Sequence, residues 1–172
     1  LEATGLVRYV ANKGYTVAPH LSASEKVAMM DARLVLEVAA VRRAAELGDP
    51  SVPRHLRELL EGQREATSRL GGSAGEQQKD ALREYLKIDH SFHDGILHGC
   101  GNQFLFRLAA TLDPQAQRMR QSFVNGIPDA EDVLKEHSAI TEAIAKGDPD
   151  AAEQAMRHHL ERVLRLSLTQ AD

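Results

Sequence analysis

Between Ile88 and His98 the sequence reads IDHSFHDGILH, which places three histidines and two aspartates in eleven positions. On a helix, side chains four residues apart stack one turn apart on one face, with about 6 Å between their Cβ atoms. The stretch then offers three such pairs: Asp89 with His93, His90 with Asp94, and Asp94 with His98. A pair so placed can chelate one ion or share one proton, and the pair that faces the protein interior is the one that matters.

Apolar neighbours rank the pairs. Leu82, Tyr85, Leu86, Phe92, Ile96 and Leu97 define a 3.6-residue stripe that passes through positions 89 and 93. His90 and Asp94 fall about 100° round the helix, on its flank. The same test puts His137 inside a stripe of Val133, Leu134, Ile140 and Ile144, with Glu136 expected to point elsewhere. It puts His159 among Ala152, Met156, Val163 and Leu166, while His158 rotates off among Arg162 and Arg165. A buried carboxylate without a partner costs several kcal/mol or more. A divalent cation held by Asp89, His93, His137 and His159 would remove that cost. Three imidazoles and one carboxylate suit zinc, nickel, cobalt or manganese better than calcium or copper(I). A hydrogen-bonded polar core without an ion has the same pattern, and facing alone leaves both readings open.

Helices must position these residues. Ala, Leu, Glu and Arg dominate the 172-residue chain, aromatics make up only 4%, and tryptophan is absent, a composition that favours an all-α protein. Helical periodicity begins near Ser22 or Ser24, either a plausible N-cap, with a stripe of Val27, Met30, Leu34, Val38 and Val41 running to about Leu47. Further helices are expected over about 53–70, with Leu56, Leu59, Leu60 and Gln63 on one face, and over about 77–98. Others follow over about 102–124, with a kink at Asp113-Pro114, up to about Lys146, and from Pro149 to about Leu168. About six helices with short joints predict an antiparallel bundle. The first twenty residues differ: Leu6–Val10 and Tyr15–Ala18 flank the turn-forming ANKG and predict a β-hairpin. The expected division is a hairpin and linker over 1–20 and a helical domain over 21–172.

A formal charge of −4 argues against a surface built mainly to hold nucleic acid, so any DNA contact must be local or lie outside this chain. A single cysteine, Cys100, excludes an internal disulfide and suits a reducing cytoplasm. No apolar run approaches the roughly 18 residues of a membrane span. The chain begins without methionine, inside what reads as a continuing element, and is expected to be a fragment.

Several ordered motifs now carry a resemblance. GLVRYVANKGYTVAP looks like the closing wing of a winged helix-turn-helix, RLVLE at Arg33–Glu37 is similar to an RxxLE signature, and DHSFH at Asp89–His93 to DxxFH. HGCGN at His98–Asn102, EHSAITEAIAKGD from Glu136 and AEQAMRHHL at Ala152–Leu160 resemble further motifs in the same order. Together they resemble the C-terminal effector-binding (FCD) domain of FadR-type regulators in the GntR transcription-factor family. The resemblance implies that Asp89, His93, His137 and His159 hold a divalent metal, zinc foremost. It implies that Arg33 lies in the effector pocket, where a guanidinium can grip a small organic carboxylate. Asn102 is a second effector candidate, with a helix N-cap as its competing role. Tyr85, Arg118 and Arg120 are weaker ones. The resemblance further implies a homodimer, and operator DNA bound through the N-terminal domain of the full-length protein, with Arg8 and Lys13 on the wing suited to phosphate contact. Two rival classes are a metal-dependent hydrolase-like enzyme, which lacks an inward general base, and a metal-free interaction bundle.

Overall fold

The computed structural model describes residues 7–72, 75–121 and 129–169. Strands β1 (Val7–Val10) and β2 (Gly14–Val17) pair antiparallel, with Val7 opposite Val17 and Val10 opposite Gly14. Asn12 and Gly14 take positive φ angles of 66° and 75°, and the amide of Lys13 donates to the Val10 carbonyl, which closes the predicted turn. Tyr9 and Tyr15 sit opposite each other edge to face, both exposed, so the hairpin contributes little to the core.

Six helices follow: α1 (Ala23–Leu47), α2 (Ser51–Gly72), α3 (Gly75–Gly99), α4 (Gln103–Gln121), α5 (Ala130–Lys146) and α6 (Pro149–Thr169). They form the predicted bundle. The expected end of α4 at Val124 lies outside the described residues, and Pro114 sits inside the helix. Ser22 is the N-cap of α1 in a capping box: its hydroxyl accepts from the Glu25 amide, and the Glu25 carboxylate accepts from the Ser22 amide at 2.8 Å. α1 ends on Gly48 and α5 on Gly147, each in the left-handed conformation that glycine adopts without a Cβ penalty.

α1 packs against α6, α3, α4 and α5, whereas α2 packs against α3 and α5. This central position corrects the expected α1 stripe. Val27 is exposed and Leu34 only half-buried, while Lys26, Arg33 and Glu37 are buried beside Met30, Val38 and Val41. Charged groups hold inward positions on α1 because each finds a partner there. The Lys26 ammonium, for example, donates to the Ser167 carbonyl near the end of α6 at 2.6 Å.

The α2–α3 seam is closed by missing side chains. A Cβ placed on Gly99 would lie 2.7 Å from Val52 Cγ2, and one on Gly95 would lie 3.2 Å from Leu56 Cδ2. Val52 is β-branched and buried, so it cannot rotate clear. We expect Gly99→Ala to destabilise the protein by about 1–2 kcal/mol despite alanine's better helix propensity, and the melting temperature to fall by roughly 2–8 °C. An unchanged or raised melting temperature would show that the seam can relax.

Candidate metal centre

Three helices deliver one imidazole each to a common point. His93 from α3, His137 from α5 and His159 from α6 place ligand nitrogens all within 4.8 Å of one another. All three rings are buried, His137 completely. Their centroids lie 4.7 to 5.4 Å apart, and Phe92 stacks flat on His137 at 3.9 Å and shields it from water. Asp89, one turn before His93 and also buried, stands at one edge of the triad with Oδ1 3.8 Å from His137 Nε2. His90 and His158 fall off this face as the periodicity predicts, and His158 is 66% exposed.

A second set of residues, of which periodicity placed only Gln63 on an apolar face, fixes the rings. His93 Nδ1 lies 2.6 Å from Glu37 Oε2, His137 Nδ1 lies 3.0 Å from Gln63 Oε1, and His159 Nδ1 lies 2.8 Å from Glu136 Oε2. Each acceptor selects the tautomer with hydrogen on Nδ1, which leaves the Nε2 lone pair for the interior. The Nε2 of His159 is buried and has no hydrogen-bond partner. An orphaned lone pair of this kind is costly in an apolar interior and is what a cation would satisfy. The donor set therefore fits a borderline divalent metal.

The expectation that Glu136 points elsewhere is corrected here. Its carboxylate reaches over to α6, where it accepts from Arg162 as well as from His159 Nδ1, and Arg162 also binds Asp129. Burial opposes ionisation of Glu136, but the hydrogen bonds from His159 and Arg162 outweigh it and hold its pKa at about 2. Glu37 is arranged alike. Burial again opposes its charge, and the Arg33 guanidinium with the hydrogen bond from His93 overcomes it and holds the carboxyl well below the usual range. Arg33 Nε donates to Glu37 Oε1 at 2.6 Å, so one buried carboxylate joins Arg33 to His93. Glu37 had a visible signal, its place four residues after Arg33, but the partners of Gln63 and Glu136 depend on packing alone.

Arg33 and Glu37 also line a narrow cleft between α1, α3 and α4. His93 forms part of its floor; Leu97, Phe106 and Ala109 form apolar wall. Asn102 lies elsewhere: its Oδ1 accepts from the amides of Phe104 and Leu105, which caps α4, and it does not line the cleft. Tyr85 is core, 2% exposed. Arg118 donates to the carbonyls of Ala18 and Pro19. Lys13 is exposed at the hairpin turn; the side chains of Arg8 and Arg120 lie outside the described residues.

Comparisons with known proteins agree with the motifs. The sequence model of the FCD domain matches residues 28–162. The HTH-type transcriptional repressor GlaR of Escherichia coli is 29% identical over 170 residues, which cover 93% of this chain and 71% of GlaR. The HTH-type transcriptional repressor RspR of the same organism is 28% identical over 131 residues, covering 76% of this chain and 53% of RspR. The chain thus matches only about half the length of some of these regulators. Among solved structures, E. coli McbR/YncC superposes with a TM-score of 0.83 at 15% identity over 99% of this chain and 80% of that one. A GntR family member from Pseudomonas syringae does so with a TM-score of 0.59 at 20% identity over 99% of this chain and 65% of that one. These two show the shared fold, and the relatives are transcriptional regulators, not enzymes.

The Arg162 network predicts an acid response. Glu136 has a folded pKa below its ordinary value, so its stabilisation is present above about pH 4.5 and is lost as pH falls toward 2. Removing Arg162 takes away one of the groups that depress it. In chelator-treated protein, we expect Arg162→Leu to move the acid-unfolding midpoint, followed by circular dichroism, to higher pH. An unmoved midpoint would mean that Arg162 does not hold Glu136 ionised.

Proposed function

From the premise that this chain belongs to the FCD domain family, we propose that it is the effector-sensing and dimerisation domain of a transcriptional regulator, with a divalent metal as part of its effector site. The observation that carries this reading is the convergence of three imidazoles whose Nδ1 atoms are all engaged by acceptors behind them. The Nε2 atoms of His93, His137 and His159 and the carboxylate of Asp89 would hold the ion, with zinc the first choice and nickel, cobalt and manganese of the same class. Bound there, the metal would supply a Lewis-acidic centre of net charge near +1 with positions left for an exogenous oxygen donor.

The protein's own groups do the rest. Arg33 sits beside His93 on the cleft wall, held in place by Glu37, and its guanidinium is suited to a small organic carboxylate. Asn102 enters this reading only as the α4 cap. The cleft is walled by α4, and Arg118 of α4 holds the carbonyls of Ala18 and Pro19, the segment that leads to the hairpin. A ligand that favours one setting of α4 thus has a route to residues 1–20, which we read as wing and linker of a DNA-binding domain, with residues 21–172 as the sensing domain. Such a shift requires differential affinity between two arrangements. In the whole protein, Arg8 and Lys13 would touch operator phosphates beside an N-terminal recognition helix, and a homodimer would match a two-fold operator. Large apolar side chains are exposed on α1, Val35, and on α4, Phe104 and Leu108, and a second copy would cover apolar surface of this kind. No helix among the described residues is long and apolar enough to cross a membrane. The single Cys100 suits a reducing, cytoplasmic place.

Metal analysis tests the centre directly. The purified chain is expected to carry close to one zinc or similar ion per protomer and to lose several degrees of melting temperature on chelation, restored by added metal. His159→Ala should bind no metal and lose the chelator response. A chelator-insensitive melting curve with metal-free protein would leave a hydrogen-bonded polar core as the correct reading. Gln63→Leu is expected to weaken metal binding about 10–100-fold while leaving the ligands in place.

A further inference from the structure

The groups behind the three rings are of two kinds. Glu37 behind His93 and Glu136 behind His159 are carboxylates that also accept from Arg33 and Arg162. An ionised carboxylate only accepts, so each of these imidazoles has its hydrogen fixed on Nδ1. Gln63 behind His137 is a carboxamide, which accepts at one end and donates at the other. Its Oε1 lies 3.0 Å from His137 Nδ1, whereas its Nε2 is buried and has no hydrogen-bond partner among the described residues. Gln63 as a whole is 1% exposed, so bulk water does not reach that nitrogen. Beyond the other edge of the ring, Asp89 Oδ1 lies 3.8 Å from His137 Nε2, a gap that a small tilt of either side chain closes to a hydrogen bond. His137 thus has an accepting oxygen beyond each of its nitrogens, and a backing group that can also give a hydrogen.

We infer that His137 and Gln63 form a two-position switch set by the metal. With an ion at Nε2, the ring carries its hydrogen on Nδ1 and donates it to Gln63 Oε1. In metal-free protein the hydrogen sits on Nε2 and is donated to Asp89, and the Gln63 amide turns end for end so that its Nε2 donates to the bare Nδ1. The ring keeps one hydrogen and stays neutral in both positions: one hydrogen leaves Nδ1 as another arrives at Nε2. The turn breaks no other bond of the amide nitrogen, since an unmatched donor is exchanged for an unmatched acceptor at the same place. What is gained is a hydrogen bond to an ionised carboxylate, the stronger kind. Neither Glu37 nor Glu136 could act in this way, because a carboxylate facing a bare Nδ1 would set lone pair against lone pair. The inference rests on the proposed metal centre and names the residue of α2 through which its filling is felt.

Nitrogen-15 NMR of the labelled chain at about pH 8, where an ordinary imidazole is neutral, reads which ring nitrogen carries hydrogen. In folded, chelator-treated protein the hydrogen of His137 is expected on Nε2, with those of His93 and His159 on Nδ1. On loading with zinc, His137 should change to Nδ1 and the other two should keep theirs. In Gln63→Glu, whose side chain cannot donate when ionised, His137 should carry a hydrogen on Nδ1 with and without zinc. If zinc binds and His137 of the metal-free wild type already carries hydrogen on Nδ1, this inference fails while the metal centre stands. A metal-free chain that does not fold has no second position to adopt, and that result overturns it as well. If His137 changes in the wild type and changes equally in Gln63→Glu, the assignment to Gln63 fails; should that variant not fold, the wild-type comparison alone decides. If no zinc binds to the wild type, the metal reading fails and takes this inference with it.

Discussion

Burying three imidazoles at one point leaves six ring nitrogens to satisfy in an interior of leucine, isoleucine and methionine. An unmatched polar atom there costs on the order of 1–3 kcal/mol. Glu37, Gln63 and Glu136 stand one behind each ring and engage its Nδ1. That single demand accounts for much of the architecture. α3, α5 and α6 supply the rings, and α1, α2 and α5 supply the acceptors, so five of the six helices are pinned to the centre by side chains that must reach it. Only α4 contributes neither a ring nor an acceptor, and it is the helix left to wall the cleft.

The backing of the three rings is unequal. His93 and His159 each lean on a carboxylate that is itself gripped by an arginine, Arg33 in one case and Arg162 in the other. His137 leans on a neutral carboxamide. A carboxylate behind an imidazole raises its basicity as a ligand, so His93 and His159 should be the stronger donors and His137 the weaker one. Phe92 stacked on His137 gives that ring by packing the orientation the others gain from charge. Asp89 stands on the His137 side, where a carboxylate ligand would offset the neutral backing.

Facing arguments turned the three rings and Gln63 inward from the sequence but did not pair the rings with their acceptors, for a physical reason. A ring that faces inward interrupts an apolar stripe on its own helix, and that interruption is visible in a few neighbouring residues: His137 between Val133 and Ile140 is the clearest case. The acceptors behind the rings are partners across helices, 56 residues apart for Glu37 with His93 and 74 for Gln63 with His137. Their pairing depends on how the helices pack, which no periodicity encodes. Glu136 was misplaced for the same reason. Adjacent to His137, it points away from that ring, and only the arrival of α6 puts His159 and Arg162 where its carboxylate ends. The α1 stripe failed because that helix is covered on several sides, so exposure of Val27 and burial of Arg33 follow from its neighbours rather than from its own pattern.

The position of α4 gives these details a common consequence. It is held at the mouth by the approach of Asp113 to His90, along the cleft by small residues such as Ala109 and Ala116, and beyond the cleft by Arg118 on the carbonyls of Ala18 and Pro19. Beside these small residues, Leu105, Phe106 and Met119 of α4 join the core. A group entering the cleft must displace or extend those interactions, whereas the rings and their acceptors would have to break buried hydrogen bonds to respond. Glu37 carries the remaining link: because one buried carboxylate holds both Arg33 and His93, whatever reorients the arginine also acts on a ring of the triad, and by linkage the reverse must hold.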